Sequence, residues 1–134
     1  MIIKEEKVEM KRIFISFAIE DEGLRNLLRG HSRNPNSNIE FVDMSVKQPW
    51  DSMWKTNCRT RIKGCDGMIS IITKNSKNAS GQIWEMNCAK QEGVPIVGIY
   101  GNDEHSGIKV PSECGYVRLM DWTWSNISNW ISSL

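Results

Sequence analysis

Among the residue types able to do chemistry, one carboxylate occupies a notable position: Glu85, between Trp84 and Met86. The segment around it opens at Asn78 or Ser80 and sets Ile83, Met86 and Ala89 at helical spacing as far as Glu92-Gly93. Glu85 therefore falls in the first turns of a helix. A glutamate there, beside a large aromatic and at the edge of a sheet where ligands bind, can be held poised against a substrate. The same spacing also suits a glutamate that faces solvent and favours the positive end of the helix dipole. Pattern alone leaves both readings open. Other chemistries lack their residues: no G-x-G-x-x-G or G-x-x-x-x-G-K-[ST] phosphate cradle occurs, and no G-x-S-x-G nucleophile elbow. The cysteines at 58, 65, 88 and 114 form no C-x-x-C pair, and only His31 and His105 stand beside them. No metal site is expected from that spacing; buried, reduced thiols are.

The acidic run Glu20-Asp21-Glu22 invites comparison with phospho-accepting receiver domains. Those need an aspartate at the end of the third strand, where this chain has Ile72-Thr73-Lys74. The loop AIEDEG is likewise acidic rather than the Ser/Thr/Gly nest that holds a flavin phosphate. With 134 residues the chain suffices for one domain, and 17 basic against 16 acidic side chains leave a charge of +1. That balance gives no electrostatic reason to expect a nucleic acid or an anionic membrane as partner. No apolar run approaches the roughly 20 residues of a membrane span. The opening MIIKEEKVEMKR lacks the apolar core of a secretory signal, so a cytoplasmic location is expected.

The elements that must position Glu85 alternate between strand and helix. Residues 1–10 read as a flexible lead-in and 11–134 as one domain. Ile13-Phe14-Ile15-Ser16-Phe17 is a first strand, followed by a helix over about 21–31 with Leu24, Leu27 and Leu28 at helical spacing. Arg25, Arg29 and Arg33 are expected to form a solvated edge of that helix. Ile39-Glu40-Phe41-Val42 is a second strand. Trp50, Trp54, Cys58 and Ile62 then recur every four residues, on one face of a helix that starts near Pro49 and Asp51 and stops at Gly64. Met68-Ile69-Ser70-Ile71-Ile72 is continuous enough for a central parallel strand covered on both faces. The Glu85 helix follows, then a strand over 95–100, a short strand over 116–119, and a last helix behind Thr123 carrying Ile127, Trp130, Ile131 and Leu134. This order predicts an α/β, flavodoxin-like three-layer fold whose five-stranded parallel sheet runs 2-1-3-4-5. Ligands then bind beyond the carboxyl ends of the strands, near residues 17–22, 43–50 and 73–81.

The opening KRIFISFAIEDEGLRNLL resembles the first strand and helix of a Toll/interleukin-1 receptor (TIR) domain. From Lys11 to about Trp130 the chain is similar to the small microbial TIR-like proteins of the MTH538 type, among them the TIR-like component of Thoeris anti-phage systems. The similarity lies in Phe14-Ile15-Ser16-Phe17, Asp43-Met44-Ser45, Pro49-Trp50-x-x-x-Trp54, GMISIITKNS and Trp84-Glu85-x-x-x-Ala89-x-x-x-Gly93. In catalytic TIR domains the essential glutamate starts the third helix eight residues before a glycine, as Glu85 stands before Gly93. The resemblance implies NAD+ as substrate with no permanently bound cofactor, cleavage of the nicotinamide–ribose bond at Glu85, and an ADP-ribose-type, cyclic signal for a separate effector. It also implies self-association through TIR-like surfaces. It places Ser16, Phe17 and Asp21 on the site floor and Asp43 and Trp50 in the mobile segment that closes the site. Trp84 is implied to stack on nicotinamide or adenine. Many relatives carry a Trp four residues before the glutamate; here that position is Gly81. The other reading kept open is a catalytically silent TIR-like module that binds a partner or a nucleotide.

Overall fold

Apolar alternation decides how the strands sit. In the computed structural model, which describes residues 10–31, 38–102 and 105–134, strand β1 (Lys11–Ser16) turns Ile13 and Ile15 to one face of the sheet and Phe14 to the other. Strand β3 (Gly67–Ile72) does the same with Ile69 and Ile71 against Met68 and Ile72, and all six of its residues are buried. A strand buried on both faces needs apolar residues at every register position, which is why this run is nearly continuous. Strands β2 (Ile39–Val42), β4 (Ile96–Tyr100) and β5 (Leu119–Met120) complete a five-stranded parallel sheet in the order β2-β1-β3-β4-β5, as expected.

Helices α1 (Glu22–Gly30) and α4 (Trp124–Ser132) close one face through Leu28, Ile127 and Ile131. Helices α2 (Ser52–Lys63) and α3 (Ser80–Gln91) close the other through Trp54, Cys58, Ile62, Met86 and Ala89. Asp51 caps α2 by accepting from the Trp54 amide at 2.8 Å, and Thr123 caps α4 by accepting from the Asn126 amide at 3.0 Å.

Three expectations need correction. Arg25 is not on a solvated edge: its side chain is 8% exposed, donates to Asp43 at 2.8 Å and lies over the Phe17 ring. Trp50 does not continue the α2 stripe, because the helix begins after the Asp51 cap; Trp50 is 75% exposed. The fifth strand sits later than 116–119, since a 3-10 turn (Ser112–Cys114) and Gly115 at φ +66° occupy the chain just before it, leaving Tyr116 exposed. The lead-in, apart from Met10, and Arg33 lie outside the described residues.

Candidate functional site

The site grows from the carboxyl end of β1. Ser16 shares the register parity of Phe14, so its side chain faces α3, and it is fully buried. On α3 the residues turned inward are Gly81, Gln82, Glu85, Met86, Cys88 and Ala89. Glu85 lies on that stripe and has no exposed surface, which removes the solvent-facing reading. Gln82, one turn earlier, fixes the start of α3 to β3: its Nε2 donates to Ser70 Oγ at 2.9 Å and to the Ile71 carbonyl at 2.7 Å. Its Oε1 has no partner among the described residues.

Glu85 is surrounded by donors. Ser16 Oγ donates to Oε1 at 2.9 Å. Lys47 Nζ donates to Oε1 at 3.0 Å and Oε2 at 2.8 Å, and the Cys58 thiol lies 3.9 Å from Oε2. Burial nevertheless dominates and pushes the Glu85 carboxyl up to about 7, while Lys47 and Ser16 pull it down. The Cys58 thiol is raised far above its ordinary range by burial and then by Glu85, so it stays protonated. The Lys47 ammonium also lies 4.1 Å from the centroid of the Phe17 ring.

A cleft of about 250 Å³ opens in front of this group, lined by Ala18, Ile19, Glu20, Lys47, Trp50 and residues 78–82. Lys47 belongs to the cleft wall and Glu85 does not, so the lysine stands between the cleft and the carboxylate.

The structure brings Glu85, Ser16 and Phe17 together and sets Trp50 at the mouth. Asp21 is committed elsewhere: its oxygens accept from Thr73 Oγ1 at 2.5 Å and Asn75 Nδ2 at 2.9 Å, pinning the loop that leads into α3. Asp43 accepts from Arg25 at 2.8 Å and Arg29 at 3.3 Å, and its carbonyl accepts from Arg61 at 2.7 Å. That anchors the beginning of the 43–51 segment. Trp84 packs edge-on against Trp54 with Arg59 over its ring, beside a separate surface depression with Lys55 and Lys63. Sequence reasoning missed Lys47 and Gln82. Gln82 had a signal, since it sits one turn before Glu85 on the inward stripe; Lys47 is a lone lysine in a loop and had none.

No family model matches the chain, and no curated protein does. The solved structure of a prokaryotic SEFIR domain matches it with a TM-score of 0.54 over 92% of this chain and 94% of its own, at 15% identity. At that identity the likeness establishes the fold alone, a three-layer α/β arrangement around a five-stranded parallel sheet.

Proposed function

We propose that this chain is a TIR-like NAD+-processing enzyme of prokaryotic anti-phage immunity, of the Thoeris kind. It cleaves the nicotinamide–ribose bond at Glu85 and makes a cyclic, ADP-ribose-type signal for a separate effector. The observation that supports this most is the Glu85 carboxylate, without exposed surface at the carboxyl edge of a TIR-like sheet, bound by Ser16 and raised to about 7. A glutamate kept from water at such an edge is costly for the fold and suits a reaction that builds positive charge beside it.

The chemistry needs little else. As nicotinamide departs it takes the bonding pair and becomes neutral, and positive charge moves to the ribosyl centre. An ionised Glu85 stabilises that centre and can accept a hydrogen bond from a ribose hydroxyl. An attacking water then yields ADP-ribose, whereas a nucleophile from the adenine or from a second ribose yields a cyclic product. Self-association through TIR-like surfaces and a separate effector complete the proposal.

Incubating concentrated protein with NAD+ and resolving the products by mass spectrometry tests the reading. The expected result is nicotinamide plus a product whose mass reports hydrolysis or cyclisation, absent with a folded Glu85→Gln protein. One observation favours the silent module instead: Val46, Trp50 and Met53 expose apolar surface near the mouth, as a docking face would. That reading predicts no product from either protein, even in lysate of phage-infected cells.

A further inference from the structure

We infer that Lys47 is an internal stand-in for the positively charged part of the substrate: its ammonium fills a cation seat made by the Glu85 carboxylate and the Phe17 ring, and a ligand enters by displacing it. The inference rests on the reading of Glu85 as the residue that faces the nicotinamide ribose.

The seat has the chemistry of a cation site. Two carboxylate oxygens lie 2.8 and 3.0 Å from Nζ, and the face of Phe17 lies 4.1 Å away on a side chain that is itself buried. The ring of NAD+ carries its positive charge until the bond breaks, and the ribosyl centre carries it afterwards. Both demand the seat that Lys47 fills. Lys47 also lines the cleft that Glu85 does not reach, so a group arriving through the cleft meets the ammonium first.

The lysine comes from a short arc held at both ends. Before it, Asp43 is tied to Arg25 and Arg29; after it, Asp51 caps α2, and the Val46 carbonyl accepts from Trp54 Nε1 at 2.6 Å. Its stem runs through space that Gly81 leaves free: a Cβ at that position would stand 2.8 Å from Lys47 Cβ, 3.1 Å from Cγ and 3.3 Å from Cδ. Those are the atoms nearest the lysine backbone, so a methyl group there pushes the residue out instead of bending its tip. Leaving Glu85 unpaired in this buried place is costly, whereas an incoming cation that replaces the ammonium keeps the carboxylate paired, so the occupant exchanges with a cation instead of simply leaving.

Gly81→Ala expels the lysine without substituting any charged residue, and Lys47→Met removes the ammonium directly. The first readout is a short acetic anhydride pulse at pH 8.5, with labelling of Lys47 followed by peptide mass spectrometry against the exposed Lys74 and Lys77. In the wild-type protein Lys47 should label slowly, and about tenfold faster in Gly81→Ala or when NAD+ is present in excess, the ratio expected for a seat filled nine times in ten. The second readout is the KM for NAD+ at pH 8.5, expected to fall about tenfold in both variants while kcat does not rise. Wild-type Lys47 labelling as fast as Lys74, or NAD+ protecting Lys47 while being cleaved, would overturn the inference. So would an unchanged or higher KM in both variants. If no protein cleaves NAD+, the NAD+ reading falls, and the Gly81→Ala labelling alone decides whether Lys47 closes the seat.

Discussion

Glu85 combines two costs that a merely structural glutamate avoids: it has no exposed surface, and its carboxyl is raised to about 7 by that burial. The consequences run in opposite directions for activity and stability. Ionised Glu85 is the form that stabilises a cationic centre, so kcat/KM for NAD+ should rise with pH through a midpoint near 7 and level off above it. For stability, the folded protein keeps a proton between the ordinary 4.5 and about 7 that the unfolded chain has lost. The contribution of Glu85 is therefore largest at low pH and declines through that window, by up to about 3 kcal/mol, with no further change above it. Urea unfolding of wild type and Glu85→Gln at pH 5 and pH 8 checks this: the wild type should lose stability relative to the variant on going to pH 8. A difference that stays constant would mean that Glu85 is not raised.

At the scale of elements, the caps and close approaches that aim α2 and α3 are separately testable. Asp51→Ala removes the acceptor for the Trp54 amide and should cost about 1 kcal/mol in urea unfolding. Gly101 follows β4 where a Cβ would stand 2.5 Å from Thr73 Cγ2 and 3.0 Å from Leu24 Cδ1. Gly101→Ala should destabilise by about 1–3 kcal/mol. Gly23, inside α1 with nothing within 4 Å of its missing Cβ, should gain about 0.5–1 kcal/mol from the same change. The elements themselves were legible because their burial is written in local spacing. β3 reads as a run of apolar residues, Trp54, Cys58 and Ile62 recur every turn, and Thr123 precedes the α4 stripe. What was not legible depends on partners distant in sequence. Arg25 is buried because Asp43, 18 positions later, accepts from it. Lys47 reaches Glu85, 38 positions later, through a gap left by Gly81. A single arginine or lysine looks the same in sequence whether it is solvated or seated.

Taken whole, the molecule is a double layer of apolar packing around one sheet, with its polar investment concentrated at the carboxyl edge: Ser16, Asp21, Asp43, Lys47, Thr73, Gln82 and Glu85 all meet there. Among the described residues no helix is long and apolar enough to cross a membrane. The four cysteines are unpaired and buried, and burial raises every one of their thiols, Cys65 and Cys114 to about 11. In the folded protein at pH 8 a disulfide-exchange reagent should therefore label none of them within minutes, and all four after denaturation. Rapid labelling of any one would show that the packing around α2 and α3 opens readily. The central claim, that Glu85 does the chemistry of this edge, is tested most directly by following nicotinamide release from NAD+ by concentrated wild-type and Glu85→Gln proteins side by side at pH 8.5. The wild type should release nicotinamide steadily, and the equally folded variant should release none above background. Equal release from both, or none from the wild type at any concentration or in infected-cell lysate, would contradict it.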